Sequence, residues 1–362
     1  MGEAAILAVV SDLHSNSTPG LCPKVFVRDD GGLYYPSPSQ QWLLKCWHDF
    51  WGRVWRLKRQ LGVPVHAVIN GDLVDLNKHS QYQLISVNES DIINNGLSLL
   101  VPVLDTADRT YIVRGTEAHT GGVGWFEERI AREIGAVRDT AKGTASWDWL
   151  PLEICGRRFG FAHAPTSNSQ LPWTKGGGAN RTALALLYEY FGEEEWPETV
   201  VFGHVHHDED SYDNHPIRTL FLPPWQLGTF YWSGRGRAYQ RPKVGGNIFL
   251  VTEEEITLDK VRYKPKRRAF VRGETDGDSD GNDHRPGVRR DAGVPGPGEG
   301  EFTTHTAGGV YPQEVPAGHG NGRHQLVEEA QRAGAGRDTG HQIRLTGRVP
   351  GENLLVQGAR WG

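Results

Sequence analysis

At 362 residues the chain is long enough for two domains, or for one large α/β domain with an extension. A net charge of −5 supplies no global attraction to nucleic acid or anionic membrane, and 37% hydrophobic content is low for a wholly globular chain. No segment reaches the ~18 uninterrupted apolar residues of a membrane span, and the opening MGEAAILAVVSD lacks the basic start of a signal peptide. Cys22, Cys46 and Cys155, widely spaced, odd in number and without CxxC spacing, fit a reducing, cytoplasmic setting better than a disulfide framework.

In chain order, a first strand is expected over Ala5–Val10. A helix follows, with Ser39 as N-cap and Leu43, Trp47, Phe50, Val54, Leu57 and Leu61 stepping by four and three along one face; Gly62 and Pro64 end it. Trp42, Trp51 and Trp55 widen that face. They either pack between helix and sheet or offer rings to nucleobases or a partner. Further strands are expected over Val65–Asn70, Thr110–Val113, Arg158–Ala162, Thr199–Phe202, Arg218–Leu222 and Asn247–Val251, with a second helix over Arg181–Phe191. Several strands are continuous apolar runs, as burial on both faces requires. Their alternation with helices predicts a layered α/β domain.

Composition changes near residue 270. The stretch RGETDGDSDGNDHRPGVRRDAGVPGPGEGE is rich in Gly, Asp and Pro and nearly free of aliphatic residues. Such a segment buries too little apolar surface to offset its ordering entropy. The expectation is a globular domain over residues 1–268 and a mostly disordered tail over 269–362, with one short helical stretch at HQLVEEAQRA.

The strand ends share a chemistry. The first runs on into Asp12 and His14, the second through Gly71 into Asp72, the fourth into His163, and the fifth through Gly203 into His204 and His206. If the chain stays extended there, residues two apart reach one side. Ligand sites of open α/β sheets collect outside the carboxyl ends of the strands, so these groups should converge. Carboxylates and imidazoles crowded together call for cations, and this mixture suits Mn, Fe or Zn.

The ordered set SDLH, NGDLVD, a Gly-led segment ending in histidine, AHAP and GHVHH resembles the calcineurin-like metallophosphoesterase superfamily over about residues 5–260. The resemblance implies a four-layer α/β/β/α sandwich, two divalent metal ions and a phosphoester substrate. It implies that Asp12, His14 and His206 hold the first ion, His163 and His204 the second, and that Asp72 bridges them. Two cations ~3.5–4 Å apart would clamp the phosphoryl oxygens and lower the pKa of a bridging water. Monoester, diester and nucleic-acid substrates all remain open, as does a binding scaffold without activity.

The third motif of that superfamily reads Gly-Asn-His; here it is Gly115-Thr116-Glu117-Ala118-His119. Three arrangements follow: Thr116 takes the asparagine's place, Glu117 reaches the second metal, or the second site fills only with substrate present. His119 is the residue to contact phosphate or act as general acid. Lesser candidates are Arg181, behind the glycines of TKGGGANRTAL and in reach of a substrate oxyanion, and Asp75, Asn77 and His79 as supporting groups. The basic run KPKRRAFVR, Lys264–Arg272, reads as a solvated linker or a contact for nucleic-acid phosphates.

Overall fold

Apolar residues on both phases of one strand predict burial on both faces, and the N-terminal strand shows it. Ile6, Ala8 and Val10 enter one hydrophobic core while Ala5, Leu7 and Val9 enter another. The computed structural model describes residues 3–76, 83–167, 174, 176–229 and 242–266. All of them belong to one compact unit, Met1–Glu274. Asn77, His79, the basic run beyond Lys266 and the tail with its helical stretch lie outside the described residues.

The first half of the chain forms β1 (Ala4–Val10), β2 (Phe26–Val27), β3 (Leu33–Tyr34), α1 (Pro38–Leu61), β4 (Val65–Asn70), α2 (Glu89–Leu104) and β5 (Arg109–Val113). Next come the single-turn α3 (Glu117–Thr120), a 3-10 turn at Gly122–Gly124, α4 (Trp125–Glu133), β6 (Ser146–Trp147), β7 (Leu150–Ile154) and β8 (Arg157–Phe161). The remainder is α5 (Gly177–Glu189), β9 (Thr199–Phe202), β10 (Glu209–Asp210), β11 (Arg218–Phe221), β12 (Val244–Thr252) and β13 (Ile256–Tyr263).

One sheet has the order β13-β12-β1-β4-β5-β6 and the other β10-β11-β9-β8-β7. The strands β1, β4, β5 and β6 run parallel, as do β8, β9 and β11. Three cores separate the layers. Phe159, Phe161, Val201 and Leu220 meet Leu7, Val68 and Phe249 between the sheets. On the outer face of the first sheet lie Leu43, Trp47, Phe50, Leu99 and Ile130 from α1, α2 and α4. Ala179 and Ala183 come from α5, and Ala179 packs against Val200 and Phe221 on the second sheet. The chain is therefore a four-layer α/β/β/α sandwich. Among the described residues no helix is long and apolar enough to cross a membrane.

The long helix starts two residues earlier than expected. Ser37, not Ser39, is the N-cap: it accepts from Gln40 N while the Gln40 side chain accepts from Ser37 N, and Pro38 occupies the first turn. Gly62, in the left-handed region at φ 67°, closes it as expected. Trp47 and Trp51 are core residues and Trp42 packs partly against them, whereas Trp55 is half exposed beneath Arg59. The second predicted helix begins earlier, at Gly177, and ends at Glu189.

The two sheets are joined at one point of consequence for the site. Asn70, the last residue of β4, is fully buried and donates from Nδ2 to the carbonyls of Ala162 (3.0 Å) and Val201 (3.2 Å) in the second sheet. A buried amide at the end of one sheet, bonded to two carbonyls at the end of the other, fixes their carboxyl ends against each other. The loops leaving β1, β4, β8 and β9 thereby share one rim.

Candidate metal centre

The expected donors do converge, but not by the extended geometry that a two-residue spacing suggests. Each follows its strand in a turn: Asp12, His14, Asp72, His204 and His206 all have positive φ, between 43° and 67°. Left-handed backbone in non-glycine residues is costly and persists where the surroundings enforce it, most often at functional sites. Close approach enforces it here. A Cβ on Gly203 would strike Ser11 Oγ and Asp12 Oδ2, and one on Gly115 would strike the Asp72 backbone and carboxylate. The glycines before these motifs are therefore steric requirements.

The donor atoms form overlapping groups within 4.8 Å: Asp12, His14 and His206; Asp72, His163 and His204; and His14, Asp72 and His119. Asp12 Oδ1 lies 3.2 Å from His206 Nε2 and 3.8 Å from His14 Nε2. The two imidazoles face each other, Nε2 to Nε2, at 3.0 Å. Asp72 Oδ2 lies 3.0 Å from His163 Nε2 and 4.0 Å from His14 Nε2, so it stands between the groups. Donors held ~2.0–2.2 Å from one ion lie about 3–4 Å apart, and the separations here run from 3.0 to 4.0 Å.

One atom tests the fit of a cation directly. His163 Nε2 is buried and makes no hydrogen bond, although Asp72 Oδ2 is within 3.0 Å and Asp12 Oδ1 within 3.9 Å. Proximity without alignment is what donors aimed at a common centre show. The other nitrogen, Nδ1, sits 2.8 Å from the Asn70 carbonyl, which orients the ring. The residues present fit divalent metal ions.

The buried carboxylates draw positive charge from the imidazoles around them. Asp12, Asp72 and Asp75 are each at most 1% exposed, and their ion-pair partners among the described residues are all histidines. Burial is the largest influence on Asp12 and Asp72 and favours their neutral forms. It is outweighed by His163 and, for Asp12, His206, so both carboxyls titrate below the usual range. Burial likewise opposes charge on His163, yet Asp72 and Asp12 push it up to about 9. His14 is raised for the same reason by Asp75 and Asp12. His204 and His206 move the other way: loss of water around the ring is the largest influence, although His204 keeps an exposed edge, and the lowered pKa keeps both imidazoles neutral and able to coordinate.

Position 116 supports a carboxylate. Thr116 donates from its backbone N (2.7 Å) and approaches with Oγ1 (3.1 Å) on Asp72 Oδ1. Glu117 is not brought into the donor groups: it opens α3 just after Thr116, and the helical turn carries it to the exposed side. Arg181 is not brought there either; it lies exposed on α5 and donates from Nε to Ser167 Oγ at 2.8 Å. His119 is 25% exposed, with Nδ1 against Asp75 Oδ1 and its ring 4.6 Å from His14. Asp75 thus links His119 to His14 Nδ1, at 3.5 Å.

Other supporting groups had no strong signal in the sequence. Ser11 donates to Asp12 Oδ2 (2.6 Å) or the Asn70 carbonyl (2.7 Å), and Gln226 reaches Asp75 Oδ2 from the loop after β11 (3.4 Å). Ser11 opens the quoted motif SDLH and could have been found there; Gln226 is separated from Asp75 by 151 positions. A groove of about 240 Å³ lined by Trp149, Tyr190 and Trp196 contains none of the donors. Donor chemistry, rather than cavity volume, locates the site.

No protein-family model and no curated protein matches the sequence. Among solved structures the chain is similar to a predicted phosphoesterase from Streptococcus pneumoniae, with 11% identity, 72% of this chain and 91% of that one covered, and a TM-score of 0.31. It is also similar to a dimetal phosphatase from Danio rerio (8%, 71% and 96%, TM-score 0.38). A third is Vps29 complexed with zinc from Entamoeba histolytica (10%, 72% and 98%, TM-score 0.34).

Proposed function

We propose that this chain is a metal-dependent phosphoester hydrolase of the calcineurin-like metallophosphoesterase type. The observation that carries the proposal is the overlap of donor groups around Asp72, which lies within reach of both His14 and His163. Asp12, His14 and His206 are assigned to one ion, His163 and His204 to a second, and Asp72 to both. Bound there, two divalent ions would neutralise phosphoryl oxygens and acidify an attacking water.

The chain's own residues have separable tasks. Thr116 and its backbone N–H hold Asp72 in orientation. Asp75 engages His119 Nδ1, which leaves Nε2 to exchange a proton with the ester's leaving oxygen. Water adds to phosphorus as the ester P–O bond breaks, and the alcohol departs with a proton supplied through His119. The substrate is a phosphomonoester or phosphodiester, with nucleic acid included among the diesters.

The test uses metal-stripped wild type and Asp72→Asn, each titrated with Mn²⁺ on bis(p-nitrophenyl) phosphate and p-nitrophenyl phosphate. The expected result is Mn²⁺-dependent turnover in wild type only, with the preferred compound separating diesterase from monoesterase. Absence of turnover on both compounds, at metal loading that saturates the site, would instead assign the chain to metal-binding scaffolds.

A further inference from the structure

Glu127 belongs to none of the donor groups, yet it is wholly buried on α4. Among the described residues no Lys or Arg pairs with it. A buried carboxyl without a cation is expensive to ionise, and burial pushes the Glu127 pKa up to about 7. Among the described residues it makes two hydrogen bonds. Oε1 accepts from Leu73 N at 3.0 Å, and Oε2 accepts from Gly115 N at 2.5 Å. Leu73 directly follows Asp72, and Gly115 directly precedes Thr116, whose N–H and hydroxyl hold the Asp72 carboxylate. Gly115 also presses so closely on Asp72 that a side chain there would collide with it.

We propose that Glu127 is a positioning residue: its two oxygens clip the loop after β4 to the loop after β5, and this fixes the Asp72 carboxylate between the two donor groups. The inference rests on the two-ion reading given above. Chemistry explains why the residue is an acid. Two N–H groups converge on it from different loops, and a carboxylate offers an acceptor to each. An amide of the same shape offers one acceptor and one NH₂, which would meet an N–H head-on. An alanine would leave both buried N–H groups unpaired. Groups that orient a metal ligand typically govern affinity by 10–100-fold.

The test compares wild type, Glu127→Gln and Ile130→Ala. Ile130 is fully buried on the same helix but bears no polar group, so its truncation lowers stability without touching the clip. Each metal-stripped protein is titrated with Co²⁺, following the visible absorption of the bound ion and the heat of binding, and its thermal midpoint is recorded. The expected outcome is two ions per chain in wild type and in Ile130→Ala. Glu127→Gln should remain folded but bind at least one ion about 10–100-fold more weakly. Wild-type affinities in Glu127→Gln would overturn the proposal while leaving the two-ion reading intact. So would equal losses in Ile130→Ala at a matched fall in midpoint. Fewer than two ions in wild type would overturn both.

Discussion

The two donor groups differ in depth. Asp12 and His14 are at most 1% exposed and His206 is partly covered, whereas Asp72 and His163 are backed by buried structure but His204 is exposed. The first group is enclosed by Ser11 and Asp75, which touch Asp12 and His14. The second is held from behind, by the Asn70 carbonyl and Thr116, and opens to solvent through His204. A closed group retains its ion, and an open one leaves room for substrate. The difference gives the rim a direction: among the grouped donors His204 is the exposed one, on the side of Asp72 and His163.

Substitutions can break or sharpen this contrast. Asp72→Asn, at the shared position, should produce the largest loss, on the order of 10³ in turnover, because it weakens both groups at once. Turnover within tenfold of wild type, in assays at saturating Mn²⁺, would remove Asp72 from its bridging role. His119→Ala should follow at about 10²-fold, and more for alkyl than for p-nitrophenyl esters, since a good leaving group needs little protonation. Steady-state rates on both ester classes read this out; an equal loss on each would deny His119 its role as acid.

The closed-versus-open distinction itself is sharpened by a pair of histidines. His163→Ala should lower both Mn²⁺ affinity and the thermal midpoint, because it opens a cavity beside the buried Asn70 carbonyl. His204→Ala should lower Mn²⁺ affinity while changing stability by no more than about 0.5 kcal/mol, as befits an exposed side chain. Calorimetry and thermal melts of the metal-free proteins separate the two. The smallest effect is expected for Thr116→Val, about tenfold in affinity or rate, since the backbone N–H to Asp72 survives the substitution.

Much of the frame is legible in the sequence because its signals are local. Val65–Asn70 and Thr199–Phe202 form strands over the expected residues, and the apolar stripe of α1 packs as its spacing predicts. Asp12, His14, Asp72, His163, His204 and His206 stand next to strands, so a strand count finds them. Elements with weaker local signals are less legible. The helix α2 carries Asn94, Asn95, Gly96 and Pro102, poor helix formers, and is held by tertiary contacts such as Trp47 Nε1 to the Leu99 carbonyl. The strand β13 alternates in a pattern of partly buried residues that a short apolar run would not reveal. The supporting shell is least legible. Glu127 and Gln226 reach the site through folding alone, and the positive φ angles that turn Asp12 and His14 inward belong to the assembled rim, not to the Asp-x-His spacing.

The central claim is that two ions lie side by side with Asp72 between them. Anomalous diffraction at the manganese edge from Mn²⁺-loaded crystals tests it most directly. The account predicts two peaks, one among Asp12, His14 and His206, the other between His163 and His204, with the Asp72 carboxylate touching both. A single peak, or two peaks with Asp72 bound to neither or only one, would contradict it.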